Sequence, residues 1–199
     1  MTKKILLGIS FATVFVVSIM MVPALAHLPW QGVLADSVTS KNANTSILSV
    51  TAPAAVPKKT SALAGFAWLY SPGGPNGAFA ITTHNAGNVN GDSSEPPNDV
   101  RDSTQNPDGW HAHNVNLGAG AGAASFCVTA IVDAPNVGIG IKGSQIDVQV
   151  RNSILTGTLS TISAAFDIII EPACPITAGT GSTTAGPLPL GIVIDGLDP

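Results

Sequence analysis

Gln145-Ile146-Asp147-Val148-Gln149-Val150-Arg151 is the stretch that decides the fold class. Ile146, Val148 and Val150 occupy every second position, with Asp147, Gln149 and Arg151 between them. Only a β-strand with one buried face has that period. Working outward, Val137, Ile139 and Ile141 alternate with Gly138, Gly140 and Lys142. Before them Phe126, Val128, Ala130 and Val132 fall on one face of a run that ends at Asp133-Ala134-Pro135-Asn136. Ala78 to His84 puts Phe79 and Ile81 on one side and Thr82 and His84 on the other. Gly65 to Tyr70 is an aromatic-rich run stopped by Ser71-Pro72-Gly73-Gly74-Pro75. Towards the C-terminus, Thr158–Ser163 and Ala165–Ile170 read as two strands before Pro172, and Leu188–Ile194 as the last. No stretch beyond the first 26 residues sustains a 3.6-residue period with helix caps. Short strands between turn signals predict an all-β protein, a single antiparallel β-sandwich or open barrel.

The N-terminus is of another kind. Lys3 and Lys4 precede an uncharged apolar run from Ile5 to Val22, and Pro23 comes just before Ala24-Leu25-Ala26. A basic start, an apolar stretch and a small-x-small site form a secretory signal peptide over residues 1–26. The apolar run is long for such a signal, so an uncleaved membrane anchor is the alternative. Residues 27–60 are rich in Ser, Thr, Ala and Asn and close on Pro53, Pro57, Lys58 and Lys59. That composition predicts a flexible tether, with Ile47–Val50 as its one strand-like piece and an N-glycosylation sequon at Asn44-Thr45-Ser46. The domain itself is expected over 61–199.

The chain carries eight basic and twelve acidic residues. Lys3 and Lys4 belong to the signal, which leaves six basic residues against twelve acidic ones. No basic stripe occurs, so nucleic acid is not an expected partner. A membrane contact is expected only through an uncleaved N-terminal segment. Cys127 and Cys174 are the only cysteines. In a chain bound for an oxidising compartment they read as a disulfide, which would stabilise the fold by ~3–4 kcal/mol. Free thiols or thiolate ligands are the alternative.

Candidate chemistry centres on Gly109-Trp110-His111-Ala112-His113. In a strand, i and i+2 face the same way, so both imidazoles would project together and present two nitrogen ligands to Cu or Zn. His84, ending another strand, is a candidate third ligand. The bland reading makes His111 and His113 structural, because they share a face with Val115 and Leu117. The Gly-aromatic-His-x-His pattern resembles one strand of the copper,zinc superoxide dismutases over about five residues. That resemblance implies further His and Asp ligands downstream, and no histidine follows His113. Cleavage after Ala26 would also expose His27, whose amine and imidazole resemble half of the histidine brace of lytic polysaccharide monooxygenases.

Asn88 to Asp108 is polar, acidic and broken by proline. Asn88, Asn90, Asp92 and Asp99 are similar in spacing to a dockerin-type calcium loop and are candidate Ca²⁺ ligands. Ser93 stands where that loop has glycine, and Pro96-Pro97 forbids the helix that follows it. No nucleophile elbow or phosphate-binding loop occurs. The sequence therefore reads as an exported, secreted or cell-surface module, binding or structural rather than enzymatic, with an unidentified surface partner or ligand. A Cu- or Zn-binding protein built on the His-x-His pair is the alternative.

Overall fold

The computed structural model describes residues 28–58, 60, 62–72, 76–83, 110–120, 125–134, 136–176, 181–182, 186–187 and 189–194. In chain order the strands are β1 (Ala35–Asn42), β2 (Thr45–Thr51), β3 (Ala64–Tyr70), β4 (Gly77–Thr83), β5 (Trp110–Ala119) and β6 (Ser125–Asp133). They continue with β7 (Gly138–Lys142), β8 (Gln145–Arg151) and β9 (Leu159–Ile170). The two-residue β10 (Gly181–Ser182) and β11 (Gly186–Pro187) precede β12 (Leu190–Ile194). One helical turn, Asn152–Ile154, follows β8. The fold is all-β and antiparallel, as its periodicity predicts. Its larger sheet closes into a six-stranded barrel in the order β12-β6-β5-β4-β3-β9, and a second sheet has the order β1-β2-β8-β7.

The barrel has two apolar faces. Its lining draws on all six strands: Ala67, Ala78 and Ala80 with Val128, Phe166, Leu190 and Ile192 are buried there, and Val115 and Leu117 of β5 pack against them partly buried. The alternate residues of β3, β4 and β5, including Phe66, Trp68, Phe79, Ile81 and Trp110, face the second sheet and pack on Leu48, Val50, Ile146, Val148 and Val150. Buried on both sides, β3 and β4 lose the alternation that an exposed face would impose. By contrast, β8 has one wet face and alternates strictly along its length. The β7–β8 hairpin turns on Gly143 and Ser144. Gly143 sits at φ +61°, which a type II′ turn gives to glycine at its first central position. Inside the barrel, Gly65 leaves the space that the ring of Phe166 fills: a Cβ there would lie 2.7 Å from Phe166 Cζ.

The segment expected as a tether is instead part of the fold. β1 and β2 form half of the second sheet, with Leu48 and Val50 fully buried. Trp30 is 5% exposed, its ring 6.0 Å from Phe66 and 5.8 Å from Trp110 between centroids. Gln31 holds the entry to the sheet: its side chain accepts from Leu28 N at 2.7 Å and donates to Asp167 on β9. The polar composition misleads because β1 is an edge strand that buries almost nothing. Asn44, the sequon asparagine, is exposed in the β1–β2 turn.

Two strand readings also change. Thr158–Ser163 and Ala165–Ile170 form one strand, β9, because β3 supports its first part and β12 its last. The shared face of Phe126, Val128, Ala130 and Val132 is broken by a bulge. Asn116 pairs with Ala130 and Leu117 with Val128, which leaves Thr129 as the extra residue. Beyond it the parity flips: Ile131 joins the barrel lining and Val132 is 55% exposed.

A buried polar network ties β3 and β5 to the segment after β8. Tyr70 donates its hydroxyl proton to Asn114 Oδ1 and accepts from Thr156 N at 3.2 Å, while Asn114 Nδ2 donates to Ile154 O at 2.9 Å. Burial raises the Tyr70 phenol above its ordinary range, against the smaller downward pull of the Thr156 bond.

Candidate functional site

Strand alternation fixes where the histidines go. His111 and His113 share the β5 face of Val115 and Leu117, which lie in the barrel lining, so both rings turn into the barrel. Their cross-strand partners on β4 are Thr82 and Ala80. Thr82 Oγ1 lies 3.2 Å from His111 Nε2, a hydrogen bond whose direction depends on the imidazole tautomer. His111 is 1% exposed and His113 half-buried. The ring centroids are 4.7 Å apart with the planes at 90°, an edge-to-face contact.

A cation shared by two imidazoles must lie in the plane of both rings. Two perpendicular planes meet along a line, so the contact leaves a shared position for a cation geometrically open. Among the described residues no group of three or more His, Cys, Asp or Glu is placed to hold a metal ion. His84, the expected third ligand, lies outside the described residues, as do His27 and the calcium-loop candidates Asn88, Asn90, Asp92 and Asp99. The signal segment 1–26 lies outside them too.

Sequence reasoning did not include Thr82 in the site, although the alternation of the run sets it on the side opposite Phe79 and Ile81. The register also sets Asp133 opposite His113 across β5 and β6. The sequence presents Asp133 as the start of a turn, and only the pairing of the two strands brings it level with a histidine.

The cysteines form the expected disulfide, with 5.3 Å between their Cα atoms. Cys127 lies on β6 and Cys174 four residues past the end of β9. β12 runs between these two strands: its Gly191 pairs with Cys127 on one side and with Ile169 on the other. The bridge therefore fastens the barrel where its shortest strand closes it. Such a bond is compatible with an extracellular protein. No helix among the described residues is long and apolar enough to cross a membrane.

The architecture defines the class: a disulfide-closed, all-β antiparallel domain in which a six-stranded barrel is backed by a four-stranded sheet. Comparison with protein-family models, with curated proteins and with solved structures finds no match to this chain.

Proposed function

We propose that this chain is an exported surface or binding module that acts through its faces rather than by catalysis. One observation carries the reading. The His-x-His pair, the strongest candidate for a reaction centre, is used inside the barrel, where the rings pack edge to face and His111 bonds Thr82. The disulfide that fastens the barrel and the Lys3-Lys4 start with its apolar run support export.

Intact and native mass spectrometry of the protein recovered from outside an expressing cell tests this. The expected species begins after Ala26, is disulfide-closed and carries no stoichiometric metal. A full-length reduced chain confined to the cytoplasm would overturn the export reading.

A second reading has the 4.7 Å approach of the two imidazoles in its favour. It makes His111 and His113 ligands of Cu or Zn. In a His111→Ala/His113→Ala variant, loss of bound metal with the fold retained supports ligation. Loss of fold from a chain that never held metal assigns both histidines to structure.

A further inference from the structure

The outward face of the β1-β2-β8-β7 sheet gathers positive charge in a chain that is acidic overall. Among the described residues there are four basic side chains, and all lie on this face or at its end. Lys142 and Arg151 stand on the exposed sides of β7 and β8. Lys41, at a bulge in β1, reaches the same face by donating to Gln149 Oε1 at 2.8 Å. Lys58 follows Val56, whose N–H bonds Gly143 O in the turn beside Lys142. One acid shares the face: Asp147 accepts from Ser49 Oγ at 2.7 Å and from Gln145 Nε2 at 3.0 Å. Among the described residues neither Lys142 nor Arg151 has an ion-pair partner. Asp36, the other acid of the sheet, is opposite Val50 and so belongs to its inner side.

Between the charges runs a strip of bare backbone. Gly138 and Gly140 point outward from β7, opposite Gln149 and Asp147. Nothing in the fold requires glycine at either place. Neither has a positive φ, and a Cβ would meet its nearest atom at 3.7 Å in one case and 3.8 Å in the other, both ordinary contacts. Glycine inside a strand weakens it, and where packing does not explain it, it marks a surface that a ligand approaches closely. Lys142 is level with Gln145, six residues along β8 from Arg151, so the strip spans about 20 Å at ~3.4 Å per residue.

We propose that this face binds an acidic polysaccharide, laid along β7 over Gly138 and Gly140. Its carboxylate or sulfate groups meet Lys142 at one end and Lys41 and Arg151 at the other. The side chains between the cations are mostly hydroxyls and carboxamides, among them Thr39, Ser49 and Gln149, which match sugar hydroxyls; half-buried Ile47, level with Thr39 and Gln149, is the one large aliphatic side chain among them. An aromatic platform for stacking neutral sugars is missing from these four strands, so charge carries recognition. A lipid surface fits less well, because docking there needs large apolar side chains to insert, and the large exposed ones all lie outside this sheet. The proposal deepens the binding-module reading by naming its ligand class, and rests on it.

The test is affinity electrophoresis of the oxidised protein through gels containing polygalacturonate, dextran sulfate or neutral dextran, with flotation on phosphatidylglycerol vesicles beside it. Retardation by the two acidic polymers and not by dextran is expected. Lys142→Ala/Arg151→Ala should weaken binding about fivefold or more and flatten its salt dependence. Gly138→Thr/Gly140→Thr should abolish binding with the melting temperature unchanged or raised. Migration unaffected by either acidic polymer at low salt overturns the proposal. So does capture by vesicles alone, or a folded glycine variant that binds as the parent does. Should the glycine variant fail to fold, the charge variant decides. The mass measurement of the exported chain does not depend on any of these outcomes, so the binding-module reading can stand where the ligand proposal falls.

Discussion

Replacing Trp30 by alanine tests whether residues 28–58 belong to the domain. The side chain is 5% exposed and makes aromatic contacts with Phe66 and Trp110 at 6.0 and 5.8 Å. Removing a buried indole costs ~3–5 kcal/mol, because the transfer free energy of the ring is lost and its neighbours cannot fully collapse into the space. For a domain of this size that corresponds to a fall in melting temperature of roughly 6–20 °C. The assay is urea unfolding of the oxidised protein at neutral pH, followed by far-ultraviolet circular dichroism so that the lost indole does not bias the signal. A lower midpoint at an unchanged slope is expected. Leu34, 69% exposed and four residues further on, is the control, and Leu34→Ala should stay within about 0.5 kcal/mol of the parent. A Trp30→Ala variant equally close to the parent would refute the packing and restore the tether.

Tyr70 is the only tyrosine, so absorbance near 295 nm follows its ionisation alone. Because burial raises its pKa in the folded state, it contributes stability that is complete below the unfolded value of 10.0 and is lost as pH rises through the higher folded value. The parent should therefore destabilise above pH 10 more steeply than Tyr70→Phe, and a parallel pair of profiles would count against the burial. At neutral pH, Tyr70→Phe should cost about 1–3 kcal/mol in urea unfolding, since it removes the partner of both Asn114 Oδ1 and Thr156 N. Cys127→Ser/Cys174→Ser should lose ~3–4 kcal/mol, and equal midpoints for parent and variant would show the bridge to be energetically idle. Gly65→Ala would set a Cβ 2.3 Å from Ile81 O as well as against Phe166, so it should destabilise by about 1–3 kcal/mol or more. Wild-type thermal stability in that variant would mean that β3 and β4 are not so closely apposed.

The strands that the sequence announces most plainly are those with one wet face. β8 alternates without exception because Ile146, Val148 and Val150 meet the barrel while Asp147, Gln149 and Arg151 meet water. Legibility fails where burial is all or nothing. β1 exposes nearly every side chain, so Ala35–Asn42 has the composition of a linker, and its partner β2 reads as an isolated fragment. The extra residue at Thr129 is invisible to a period-2 reading, since a bulge shows only against the partner strand. In the site, the i, i+2 spacing of His111 and His113 reveals that they share a face. It does not reveal that the face lines a barrel, because closure depends on β12 returning from the far end of the chain to pair with β6 and β9. Thr82 and Asp133 become neighbours of the histidines through the same long-range pairing. The outward charge on the second sheet was hidden for a related reason: Lys41, Lys142 and Arg151 are scattered in sequence and meet through the β1-β2-β8-β7 order.

The position of the Cys127–Cys174 bridge has a consequence apart from stability. A closed barrel has no free strand edge to offer, but this one is joined at β12 by a five-residue strand that meets β6 only at Gly191, Ile192 and Val193. If that strand lifts away, β6 and β9 each present a row of unpaired N–H and C=O groups, a template on which another copy can add. The bridge limits how far the two sides can part, and so keeps a passing fluctuation from becoming an adhesive edge. Reduction then threatens solubility before it threatens the fold, and a reduced sample should clump at temperatures where its circular dichroism is still native.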